Sequence, residues 1–142
     1  MPLTFFSTST FRQSIITLCK KERNGYHKCQ KDICDRFKDL SFEDIWMLTT
    51  KLKDLDNIKI IKVRVPNSHL NLSAADSFRV IIVCDKRDNS IAFLEIYPKR
   101  GKLSKLDISQ EEIKRLLKQF IAEKKTGILI KHDINSELVE IK

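Results

Sequence analysis

Apolar positions recur along this chain with two different periods, and the change of period divides it into a helical part and a part rich in strands. Leu3 to Phe6 is a short apolar run suited to an edge strand. From Ser9 or Thr10 onward, Phe11, Ile15, Leu18 and Cys19 recur at helical spacing, which predicts a first helix ending near Asn24-Gly25. A second helix is predicted from about Tyr26 to Phe37, with Cys29, Ile33, Cys34 and Phe37 on one face. Ser41, followed three residues later by Asp44, has the form of an N-cap with an acidic first turn. Phe42, Ile45, Trp46, Leu48 and Leu52 then predict a third short helical element ending before Asp56-Asn57.

Beyond that point the period changes to two. In Ile58 to Val65, Ile58, Ile60 or Ile61, Val63 and Val65 alternate with Lys59, Lys62 and Arg64, the pattern of a half-buried strand with a basic solvent face. Pro66-Asn67-Ser68 breaks it, and a polar loop runs to about Ser77. Phe78 to Cys84 is apolar except for Arg79, the profile of a central strand, and Asp85 to Ser90 is a polar hairpin connection. Ile91 to Tyr97 returns, and Pro98 ends it. Three sequential strands are most simply an antiparallel meander. Ser109 with Glu112 opens a last helix, whose apolar stripe is Ile113, Leu116, Leu117, Phe120 and Ile121. Ile128 to Ile130 can add a final short strand before a polar tail.

The 142 residues suffice for one domain with a real core, and the 42% hydrophobic content indicates neither disorder nor a repeat. The 27 Lys and Arg against 19 Asp and Glu give a net charge of +8, which suits phosphate backbones or anionic surfaces but also an ordinary basic surface. Cys19, Cys29, Cys34 and Cys84 lack a zinc-ligand spacing, so buried reduced thiols are expected. His27, His69 and His132 are scattered, without a metal-ligand neighbour. No run approaches the ~20 apolar residues of a membrane span, and the first residues do not form a signal peptide, so a cytoplasmic protein is expected. No nucleotide-loop or hydrolase-elbow motif is present.

The candidate chemistry is cationic. Lys62 and Arg64, two apart, point to one side of their strand, and Lys59 is out of phase with them. Arg79 opens the next strand, while Lys99 and Arg100 follow the third, so antiparallel order can bring these groups to one sheet face or rim. Such a surface can bind a single-stranded backbone and neutralise charge in a phosphoryl-transfer transition state. The plain alternatives are a solvated strand face for Lys62 and Arg64, and an ion pair of Arg79 with Glu95 or Asp85. Lys59, His69, Tyr97 and Lys102 are candidate RNA contacts: Tyr97 can stack on a base and His69 can transfer a proton.

The segments Lys59-Ile-Ile-Lys62-Val-Arg64-Val, Phe78-Arg79-Val-Ile-Ile-Val, Phe93-Leu-Glu-Ile-Tyr97-Pro-Lys99 and Ile108 to Phe120 resemble the RelE/ParE superfamily of type II toxins. The resemblance implies an α+β fold, with an N-terminal helical hairpin packed on a twisted antiparallel meander and a C-terminal helix. It implies a toxin domain over residues 1–126 and a C-terminal extension over 127–142. It also implies a ribosome-dependent, metal-independent mRNA endonuclease, using Lys62, Arg64, Arg79, Lys99 and Arg100, and needing no cofactor. The implied partners are a cognate antitoxin, the ribosome and mRNA, with neither membrane nor metal. A non-catalytic binding protein of that fold and a gyrase-inhibiting toxin are the alternatives. The chain differs from the family pattern in the long loop Ser68 to Ser77 and in having Leu103 and Leu106 where a catalytic tyrosine occurs.

Overall fold

The computed structural model describes residues 2–20, 25–48, 50–69, 77–99, 107–136 and 138. Arg100, Lys102, Leu103, Leu106 and the tail beyond Leu138 lie outside the described residues, as do positions 70–76 of the loop after β3.

In chain order the elements are β1 (Thr4–Ser7), α1 (Ser9–Cys19), α2 (Cys29–Phe37), α3 (Phe42–Trp46), β2 (Lys51–Leu55), β3 (Ile58–Val65), β4 (Phe78–Asp85), β5 (Ser90–Pro98), α4 (Gln110–Thr126) and β6 (Ile130–His132). Local chemistry sets several boundaries. Ser41 Oγ accepts from the Asp44 amide and the Asp44 carboxylate from the Ser41 amide, a reciprocal capping box. Ser109 Oγ caps α4 by accepting from the Glu112 amide at 3.1 Å. α4 ends at Gly127, whose φ of +74° is the left-handed cap that glycine adopts without strain.

The strands form one mixed six-stranded sheet in the order β2-β3-β4-β5-β1-β6. β3, β4 and β5 are the expected antiparallel meander. Two strands depart from expectation. β1 lies inside the sheet, parallel to β5 and antiparallel to β6, because its residues are apolar toward both faces and its edges are both paired. The predicted third helix stops at Trp46, and Lys51–Leu55 is instead an edge strand joined to β3 through Asp56-Asn57. Leu48 packs against the helical side of the core and Leu52 against the other side, so the two never shared a helical face.

Alternation along the strands separates two cores. Ile61, Val63, Val65, Phe78, Val80, Ile82 and Phe93 face α1, α2 and α3. Ile60, Ile81, Val83, Ala92 and Leu94 face Ile113, Leu116 and Phe120 of α4. The fold is therefore α+β, with N-terminal helices on one face of an open mixed sheet and the C-terminal helix on the other. Ile134 and Leu138, beyond β6, also pack into the helical-side core.

Candidate functional site

Register places the basic residues on the α4 face of the sheet. Arg64 of β3 lies opposite Arg79 of β4, and Arg79 opposite Tyr97 of β5. Residues directly opposite on neighbouring strands point the same way, so Arg64, Arg79 and Tyr97 form one lateral row, with Lys62 two positions back on β3. Tyr97 joins this row through a β-bulge. The β4–β5 register shifts between Ile81 and Ile82, so Phe93 and Ile96, three apart, both face the helical-side core. An unbroken alternation from Phe93 would have turned Tyr97 to the opposite face, and the bulge re-aims it.

Ile108, just ahead of α4, packs in the same core cluster as Tyr97. Arg79 and Tyr97 are each only 5% exposed, whereas Arg64 is exposed. Lys62 Nζ lies 3.4 Å from Asp107 Oδ1, with side-chain exposures of 20% and 67%. An ion pair this open to water is worth about 0.2–1 kcal/mol, so an incoming phosphate can displace the carboxylate at little cost. Asp107 is held below the usual carboxylate range, first by the Ile108 amide, which donates to it at 2.8 Å, and then by the fields of Lys62 and Lys99. Burial pushes the Tyr97 phenol up to about 12, and the nearby Asp107 and Glu112 charges add to this against the opposing field of Arg79. Tyr97 therefore keeps its proton at neutral pH and can donate it, but cannot serve as a base.

A groove of about 290 Å³ opens beside the row, lined by Arg36, Leu48, Thr50, Lys62, Val63 and Arg64. It exists because β2 is short. β2 pairs with Ile58 to Ile61, the Lys62 amide donates to Thr50 O at 3.0 Å, and no strand lines the remainder of β3 among the described residues. Arg36, at the end of α2, reaches that free edge and donates from Nε to Arg64 O at 3.2 Å. Three cations thus border one cleft. Arg36 and Asp107 were not singled out in the sequence, and Glu112 only as part of the cap of the last helix. Arg36 sits on a helix with no period or motif linking it to β3, and only chain packing brings it there.

The other candidates fall elsewhere. Lys59 lies on the opposite face of β3, with Nζ 4.3 Å from the Trp46 ring centroid and 3.4 Å from Trp46 O, an arrangement that stabilises a buried ammonium by cation–π attraction. His69 is exposed after β3, its ring 4.3 Å from that of His27. The Lys99 amide donates to Ser77 O at 2.9 Å, tying the end of β5 to the start of β4. Asp85, one of the proposed partners of Arg79, is instead bound by Arg87 at 2.9 Å and Lys124 at 2.7 Å at the far end of β4. The four cysteines are free thiols.

Among the described residues no three His, Cys, Asp or Glu side chains are grouped to hold a metal, and no helix is long and apolar enough to cross a membrane. The fold and site together define an α+β protein with a cationic cleft at the free edge of its sheet. Comparison with protein-family models, curated proteins and solved structures found no match.

Proposed function

We propose that this chain is an RNA-directed toxin of the RelE/ParE type, which holds single-stranded mRNA on the ribosome through the cleft at β3 and cleaves it without a metal. The observation that carries the reading is the convergence of Arg36, Lys62 and Arg64 on one cleft beside the Arg64–Arg79–Tyr97 row. Arg64 and Arg36 would clamp backbone phosphates, since a guanidinium stays charged at any working pH and offers a planar fork of donors. Arg79 would support the pentavalent phosphate as negative charge accumulates on it. The ribose 2′-oxygen would attack phosphorus, its proton passing to water, as the P–O5′ bond breaks. Tyr97, kept protonated, would donate to the departing 5′-oxygen and regain a proton from water, leaving a 2′,3′-cyclic phosphate and a 5′-hydroxyl, and Lys62, released from Asp107, would complete the clamp. In this reading an antitoxin of acidic character covers the same cleft.

A second reading, an RNA-holding protein of this fold that does not cut, is favoured by the burial of Arg79 and Tyr97, each only 5% exposed. One set of measurements separates the two. Binding to a labelled single-stranded RNA is followed between about 50 and 200 mM salt, and cut sites are mapped on mRNA in a translation extract. Three phosphate contacts predict a slope of log affinity on log salt of about −2, falling by about 0.7 in Arg64→Ala. Cutting abolished by Arg79→Lys, in a variant that retains its unfolding midpoint, supports the nuclease. A salt-dependent affinity without cutting supports the second reading, and salt-independent or absent binding overturns both.

A further inference from the structure

On the opposite side of the sheet from the cationic row, two thiols from different helices meet. Cys19 ends α1 and Cys29 begins α2, and their sulfurs are 3.6 Å apart. A disulfide needs about 2 Å between sulfurs, so modest side-chain rotation closes the remaining gap. The two environments differ in a useful way. Cys19 is half-buried and reachable from solvent, whereas Cys29 is fully buried. We propose that Cys19 and Cys29 form a reversible dithiol–disulfide site, in which Cys19 is the group attacked by oxidant and Cys29 the thiol that resolves it.

The electrostatics agree with this division of roles. The hydrogen bond shared with Cys29 draws the Cys19 thiol down to about 7, against the opposing effect of burial. Cys29 is held up by that same hydrogen bond to Cys19, by its burial and by the neighbouring charge of Asp32, so it keeps the proton. Cys19 is therefore more readily ionised than an ordinary thiol, and the thiolate is the reactive form. The other cysteines lack these features. Cys84 is fully buried and pushed up to about 12 by desolvation, and Cys34 Sγ is engaged with Ser136 O at 2.6 Å.

With a peroxide as oxidant, the Cys19 sulfur attacks one peroxide oxygen. The O–O bond breaks, hydroxide leaves, and Cys19 becomes a sulfenic acid. The Cys29 sulfur then attacks the Cys19 sulfur, the S–S bond forms and the S–O bond breaks. The Cys29 proton departs with that oxygen as water, and the hydroxide from the first step takes up a solvent proton. Two thiols have been oxidised to a disulfide and one peroxide reduced to two waters. A small-molecule dithiol restores the pair by exchange.

The position of the pair gives the bond a structural consequence. The segment entering α2 is fastened to the segment leaving β3, because Asn67 Nδ2 donates to Gly25 O at 2.9 Å and the Ser68 amide donates to Asp32 Oδ2 at 3.1 Å. The His27 and His69 rings meet across the same junction. A covalent link between α1 and α2 therefore braces the segment to which Asn67 and Ser68 are hydrogen-bonded. The thiol pair would act whether or not the cleft at β3 takes RNA.

The test treats the native protein with a slight excess of hydrogen peroxide, blocks free thiols with an alkylating agent in denaturant, and maps the peptides. The expected product is a linked Cys19–Cys29 peptide, two hydrogens lighter than the pair of thiols, with Cys34 and Cys84 alkylated and the link removed by dithiothreitol. Cys19→Ser should yield no intramolecular disulfide. Without oxidant, Cys29→Ala should slow alkylation of Cys19 at pH 7 by at least about tenfold, because the thiolate loses its donor. The proposal fails if Cys19 oxidises to sulfinic acid or to an intermolecular dimer while Cys29 stays reduced. It fails equally if a Cys19–Cys29 link forms only after the protein is unfolded.

Discussion

His132 is expected to make the stability of this protein sensitive to mild acid. It closes β6, buried, with Nε2 2.6 Å from Ser7 Oγ, and its Nδ1 is buried without a hydrogen-bond partner among the described residues. Burial pulls the imidazole down from 6.5 to about 4, and the Arg12 guanidinium adds to the effect. In the unfolded chain the ring takes a proton as pH falls through about 6.5, whereas in the folded protein it resists until about 4. Throughout that window the unfolded state binds more protons, so folding stability falls as pH falls and levels off below the folded value. The shift corresponds to a loss on the order of 3 kcal/mol. Urea unfolding at about pH 7, about pH 5 and about pH 4 reads it directly, with His132→Gln as the comparison. The variant should be less stable at pH 7 but lose much less between pH 7 and pH 4. An identical pH slope in the two proteins would refute the reasoning.

Four further outcomes follow from named contacts. Phe93 stacks on Phe5 and Phe11 at 5.8 and 5.1 Å and meets the edge of Phe37 at 5.5 Å, so Phe93→Ala should cost about 3–5 kcal/mol in chemical denaturation. A loss under about 1 kcal/mol would mean that this cluster does not hold α1 and α2 on the sheet. Glu123 of α4 accepts from the Ser9 amide at 3.0 Å and from Ser9 Oγ at 2.6 Å, an acidic group placed at the start of α1. Glu123→Gln should cost about 1–2 kcal/mol, and a double-mutant cycle with Ser9→Ala should give a coupling clearly above zero. Asp107→Asn, which releases Lys62, should tighten RNA binding by up to about fivefold in fluorescence anisotropy, and unchanged or weaker binding would count against the cleft. Although burial alone would raise the Asp85 carboxyl, hydrogen bonds from Arg87 and Lys124 bring it down to about 2. A second loss of stability is therefore expected as pH falls from 3.8 toward 2, and it should vanish in Asp85→Asn.

What the sequence determined by itself is the part of the structure written in local chemistry and period. The caps at Ser41 and Ser109 depend on residues three apart, so they could be read without any partner. The stripe of α4 and the meander of β3, β4 and β5 follow from spacing along single elements and from the polar hairpin between β4 and β5. The common side of Lys62 and Arg64 needed only the two-residue repeat of a strand. Everything that depends on contacts between distant segments was decided by the tertiary structure. β1 reads as an edge strand until β5 and β6 pair with its two sides. Lys59 looks like one of a basic set until Trp46 packs over it, and Tyr97 faces Arg79 only because a bulge shifts the register. Arg36 meets Arg64, and Cys19 meets Cys29, across chain separations that no periodicity encodes. Local signals are carried by neighbouring residues in every unfolded conformation, whereas these juxtapositions arise only once burial of the two cores has chosen one packing of the elements.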